Sequence, residues 1–136
     1  MSDLPIIRSY HVVLDATPEA VFDAVVDLRN FPKWAVHFCK DIRLVNGGAI
    51  VTTASGEVYF GVTGDRDFGV LDWWSGPTME TAERWPTRVV PFSGGTSLYQ
   101  VTAIFKTAPP PAVDQWFADE LNALKHLVEE HASVAA

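Results

Sequence analysis

Cysteine is almost absent from this chain: Cys39 is the only one in 136 residues. A single thiol excludes an internal disulfide and fits a reducing compartment. Long apolar runs are missing as well. No stretch approaches the roughly 18 apolar residues that span a bilayer as a helix. Met1-Ser2-Asp3-Leu4-Pro5 lacks the basic region and apolar segment of a secretory signal. A cytoplasmic setting is the expectation. Positive charge is scarce: 10 Lys and Arg against 17 Asp and Glu leave a net charge of −7. That balance argues against partners such as nucleic acid or an anionic membrane surface, and no run of Lys or Arg suggests a local exception. His11, His37, His126 and His131 show no metal-ligand spacing such as H-x-x-x-H, so no metal is expected. Gly61, Gly64 and Gly69 lack the helix and lysine of a phosphate loop and read as bends in a sheet, so no cofactor is expected either. There is no repeat, linker or low-complexity segment.

Apolar residues make up 48% of the chain and aromatics 12%. That suffices for one packed domain over residues 1–136 with a sizeable core. Its clearest element is a helix from Ala112 to about His131. Val113, Trp116, Phe117, Leu121, Leu124, Leu127 and Val128 recur at three- and four-residue spacing, which gives one buried face. Asp114, Gln115, Asp119, Asn122, Lys125, His126, Glu129 and Glu130 fill the other. Pro109-Pro110-Pro111 stops the strand before it, and Ala132 to Ala136 reads as a frayed tail. Glu120 breaks the pattern, because it falls within the apolar arc.

Upstream, Ile6 to Asp15 reads as a strand. Thr17-Pro18-Glu19 opens a short helix: a cap, a proline at the first helical position, and an acid at the positive end of the dipole. Asn30-Phe31-Pro32-Lys33-Trp34 breaks that helix, and a second helical turn follows. Strands are then expected at Asp41 to Val45, Ala49 to Thr53, Glu57 to Thr63, Phe68 to Trp74 and Thr96 to Lys106. Thr78 to Val90 is extended with a bend at Trp85-Pro86, and Asn46-Gly47-Gly48, Ser55-Gly56 and Ser93-Gly94-Gly95 supply turns. Tight turns between consecutive strands imply an antiparallel sheet, which buries its apolar face on the long helix. A cleft between the two is a natural ligand site.

In this order the chain resembles the START-like, or SRPBCC, superfamily. That superfamily includes the birch-pollen-allergen fold, lipid-transfer START domains and polyketide cyclases. The matching stretches are Leu14 to Phe22 with Asn30 to Trp34, then Phe68 to Asp72, then Pro86 to Pro91, and the last helix. The resemblance implies an α+β helix-grip fold, with a seven-stranded curved antiparallel sheet around the long helix, two short helices after the first strand, and an internal cavity. It is most similar to small bacterial members described as polyketide cyclase or dehydrase. Phe92 stands where similar sequences often have a small polar residue, and Ser97 where they often have an acid. The superfamily shares no catalytic signature, so no catalytic residue is carried over.

The candidate site residues follow from strand and helix faces. Trp73 and Trp74 point to opposite faces, and Trp73, in phase with Leu71, is the inward one. Tyr10 shares a face with Val12 and Leu14, and Tyr99 with Val101, Ala103 and Phe105. Either Tyr59 or Phe60 points inward, and Phe60 is the candidate. Trp116 and Phe117 line the pocket from the first half of the helix. Arg84 and Arg88 either follow a solvated sheet edge or send one guanidinium inward, with Arg84 the candidate. His37 and Cys39 lie two apart, as in a nucleophilic pair, but no orienting acid is identifiable, and Cys39 reads as a small buried hydrophobe. Glu120 has three open outcomes: it reaches water, it pairs with an arginine or tyrosine, or it faces a polar part of the pocket. The last is the expectation adopted.

Three functions fit. The first is binding of a small hydrophobic or aromatic ligand, by a monomer or a homodimer. The second is a polyketide cyclase or dehydratase using acid–base groups in the same cavity. The third is an interaction domain whose interior is filled by its own side chains. A void of roughly 300 Å³ or more, enough for a drug-sized ligand, separates the first two from the third.

Overall fold

Apolar alternation from Ile6 and again from Ser97 builds the two strands that pair along their full length, β1 (Ile6–Leu14) with β8 (Ser97–Phe105). The computed structural model describes residues 4–135, with side chains to residue 131. After β1 come α1 (Pro18–Val26), a 3-10 turn at Leu28–Asn30 and α2 (Phe31–Trp34). Thr17 caps α1 as expected, its hydroxyl accepting from Ala20 N at 3.3 Å. Then follow β2 (Asp41–Val45), β3 (Gly48–Thr53), β4 (Gly56–Asp65), β5 (Val70–Gly76), β6 (Glu83–Trp85) and β7 (Thr87–Pro91). The chain ends in α3 (Val113–Ala135). The helix therefore runs through most of the stretch read as a tail; Ala136, like Met1 to Asp3, lies outside the described residues.

The sheet is antiparallel throughout, in the order β1-β8-β7-β5-β4-β3-β2, with β6 on β5. It is the helix-grip fold, with eight strands rather than seven because Pro86 splits one. The register does not slip there. Trp73 pairs Trp85 and Val70 pairs Arg88, which sets Pro86 opposite Asp72. Proline has no N–H for the ladder, and Asp72 fills the gap. Its Oδ1 accepts from Thr87 N at 3.2 Å and from Arg88 at 3.1 Å, and its Oδ2 from Arg84 at 3.3 Å. Asp72→Ala leaves the buried Thr87 N–H unpaired and is expected to cost about 1–3 kcal/mol. Urea unfolding checks this, and a loss within the noise would mean that the N–H finds another acceptor.

Phe68 falls outside the strand expected for it. It ends a 3-10 turn, Arg66–Phe68, and is exposed. The turn exits through Gly69 at φ +66°, where a Cβ would lie 2.2 Å from Val89 O. Gly61 serves a neighbour instead of a bend: a Cβ there would meet the Tyr59 hydroxyl at 2.6 Å. Tyr59 uses that space on the outer face and donates to Gly47 O at 2.7 Å.

α3 packs on β1, α1 and α2. Leu121, Leu124 and Val128 join the core with Leu14, Val21, Val25, Leu71 and Val89. Ser97, placed where similar sequences often carry an acid, is buried and donates to Ala16 O at 2.7 Å. Phe92 is half exposed beside the following turn.

Candidate ligand cavity

Between the sheet and the first half of α3 lies a cavity of about 530 Å³. Its walls follow from alternation. Phe60 on β4, Trp73 on β5, Trp85 on β6, and Tyr99, Val101 and Phe105 on β8 face inward. Phe117, Glu120 and Leu121 close it from α3, and α2 with the residues after it adds Phe31, Trp34 and Phe38. The exposed Lys40, Ser55 and Trp116 rim its mouth.

The aromatic rings line it in two contacting groups. Phe31 stacks on Phe60 with centroids 4.3 Å apart, and Phe60 meets Trp73 at 4.7 Å. Trp34 lies 5.6 Å from Trp73, and Trp85 lies 6.1 Å from Phe117. Trp73 Nε1 donates to Tyr99 Oη at 2.9 Å, which satisfies the buried indole. Burial pushes the Tyr99 phenol well above its ordinary pKa, so it stays protonated.

Of the nine residues singled out from the sequence, seven line this cavity: Phe60, Trp73, Tyr99, Val101, Trp116, Phe117 and Glu120. Trp116 is more exposed than a core position, because the helix meets the mouth there. Two do not line it. Tyr10 lies behind Phe117, the rings stacked 4.1 Å apart, and its hydroxyl donates to Asp114 at 2.6 Å. Arg84 is on the opposite face of the sheet. It pairs with Trp74 in register, lies 5.4 Å over that ring, and its guanidinium contacts Asp72. The charge it neutralises is the buried Asp72 carboxylate, on the face of the sheet away from the cavity. Trp74 itself donates to Thr63 Oγ1 at 2.8 Å.

Glu120 is 8% exposed, and its Oε2 accepts from two backbone N–H groups, His37 at 3.0 Å and Phe38 at 2.9 Å. It neither escapes to water nor pairs with arginine or tyrosine. It fastens the segment after α2 to α3 while facing the cavity. Burial raises its pKa, against the opposing pull of the Phe38 and His37 N–H groups. The sign of the resulting pH dependence is fixed. The folded state holds this proton more tightly than the unfolded chain does. Glu120 therefore lowers stability progressively as pH rises from the ordinary glutamate range through its raised folded value. Glu120→Gln is expected to lack that decline, so its stability relative to the native protein should improve from about pH 4 upward. A difference that stays constant with pH would contradict the raised value.

His37 also has the orienting acid that the sequence did not reveal. Its Nε2 lies 2.8 Å from Asp119 Oδ2, at the rim of the cavity. Cys39 is poorly set up as a nucleophile: burial, with Asp41 and Glu120 nearby, pushes its thiol up to about 11. Its expected behaviour is slow reaction with a disulfide reagent at neutral pH and rapid reaction once unfolded, and fast labelling of the folded chain would contradict that. Among the described residues, no three of the His, Cys, Asp and Glu side chains gather as a cation site. No helix there is long and apolar enough to cross a membrane.

No protein-family model and no curated protein matches this chain. Solved structures do. The Zhui aromatase/cyclase from a Streptomyces species superposes with a TM-score of 0.72 at 12% identity, over 94% of this chain and 96% of its own. A norcoclaurine synthase from Thalictrum gives 0.69 at 14% identity, over 97% and 99%. A START superfamily protein from Mycobacterium smegmatis gives 0.57 at 18% identity, over 91% and 97%.

Proposed function

We propose that this chain, whose fold is the START-like helix-grip fold, binds a small hydrophobic or aromatic molecule between the sheet and α3. One observation carries the reading: a cavity of about 530 Å³ walled largely by aromatic rings. That is within the range of sites that enclose small organic ligands. The site residues are Phe60, Trp73, Tyr99, Val101, Trp116, Phe117 and Glu120, joined by Phe31 and Trp34. The unpaired Cys39 supports a cytoplasmic setting. Native mass spectrometry of the protein purified from its own cells tests the proposal. A bound organic mass released on unfolding supports it. A bare protein mass, together with no uptake of added aromatic compounds, would sink it.

A second reading has its own observation in favour. Among the described residues Glu120 Oε1 has no hydrogen-bond partner, and it lies beside the His37–Asp119 pair, which is an acid–base arrangement on an apolar cavity. That arrangement fits a cyclase or dehydratase acting on a polyketide-like substrate. Loss of water from an aromatic β-hydroxy ketone, faster with the native protein than with Glu120→Gln, is the expected sign; equal rates would leave the binder reading alone.

A further inference from the structure

One corner of the cavity carries hydrogen-bonding capacity that the protein leaves unused. Tyr99 Oη accepts from Trp73 Nε1. A hydroxyl that accepts still has its own hydrogen to give, and among the described residues that hydrogen meets no acceptor. Trp34 stands beside it, its ring edge-on to Tyr99 with centroids 6.4 Å apart. Trp34 is 5% exposed, and its Nε1 is the one buried side-chain polar atom among the described residues that has no partner. Buried donors are nearly always paired, so the unmet Tyr99 hydrogen on the cavity wall calls for an acceptor. The third group is Glu120. Its Oε2 is taken by the His37 and Phe38 N–H groups, and its Oε1 receives no hydrogen bond from the described residues. Glu120 and Tyr99 border the same cavity, and no hydrogen bond joins them.

We infer that this corner holds one hydroxyl group of the ligand, its oxygen accepting from Tyr99 and its hydrogen given to Glu120 Oε1. The ligand class is then a hydroxylated aromatic, a phenol or an enol, and the inference rests on the binding function proposed above. The chemistry selects among oxygens and nitrogens. An ether or ketone oxygen accepts from Tyr99 but has nothing to give Glu120. An ammonium group satisfies Glu120 but leaves the Tyr99 hydrogen unmet. A hydroxyl serves both.

The test uses 2-naphthol and 2-methoxynaphthalene, which share a ring system, the ether carrying a methyl group in place of that hydrogen. Calorimetric titration of the native protein is expected to give tighter binding of the naphthol by about tenfold, equivalent to about 1.4 kcal/mol. The more apolar ether would win in a featureless cavity. In Tyr99→Phe and in Glu120→Gln the preference ratio falls towards one, and cooperative thermal unfolding of each variant shows that it is folded. If Tyr99→Phe does not fold, Glu120→Gln decides alone. Equal or tighter binding of the ether to the native protein overturns the hydroxyl site, as does a preference that survives in the variants. Those results leave the cavity function standing. Failure of both compounds to bind overturns the cavity function itself.

Discussion

Alanine at Trp73 is expected to lower stability by about 3–5 kcal/mol, the range for large aromatic truncations in a core. Trp73 is buried at the centre of the aromatic wall, with ring centroids 5.5 Å from Phe31, 4.7 Å from Phe60 and 5.6 Å from Trp34. Two effects add. The indole leaves a void that its neighbours fill only in part, and Tyr99, itself fully buried, loses the donor to its oxygen. Replacement of Trp74 by alanine is the internal comparison. That ring is half-buried on the outer face, beneath Arg84, and a much smaller loss is expected there. Urea unfolding of both variants measures the difference. Equal losses would mean that the inner and outer faces of β5 have been exchanged.

Leu124→Ala is expected to cost about 2–5 kcal/mol. Leu124 is 0% exposed and packs where α3 meets the sheet, in the core that contains Leu14, Val21 and Leu71. Asn122, two residues earlier, is exposed, and its replacement by alanine should change stability by less than about 0.5 kcal/mol. A Leu124→Ala loss that small would mean that α3 is not held through this face.

Leu124 shows why the architecture was legible in the sequence. A helix of six turns repeats its apolar signal often enough that no single residue decides the face. The strands were legible by alternation for the same reason, which is how Trp73, Tyr99 and Val101 were placed inward. Arg84 was not, because its face depends on its register with Trp74 across a strand broken by Pro86. Tyr10 has the right strand face, but Phe117 stands between it and the cavity. Phe31 and Trp34 were read only as part of a helix break. α2 has four residues, too few for a period, and its inward direction is set by packing on α3. Asp119 and His37 are 82 residues apart in the chain, and the partners of Glu120 are backbone N–H groups. Neither kind of partner leaves a mark in residue types.

The central claim is that an aromatic molecule occupies the space between the inner sheet face and α3. Five tryptophans report on it, because Trp34, Trp73, Trp85 and Trp116 border the cavity whereas Trp74 lies on the opposite face. Their indole N–H signals in a nitrogen-15 correlation spectrum can be assigned by single Trp→Phe replacements. The decisive measurement is that spectrum recorded during titration with naphthalene. Saturable shifts are expected at Trp34, Trp73 and Trp85, with a smaller one at Trp116 by the mouth and none at Trp74. A spectrum that does not change, or one in which Trp74 moves while Trp34 and Trp73 stay fixed, would contradict the account.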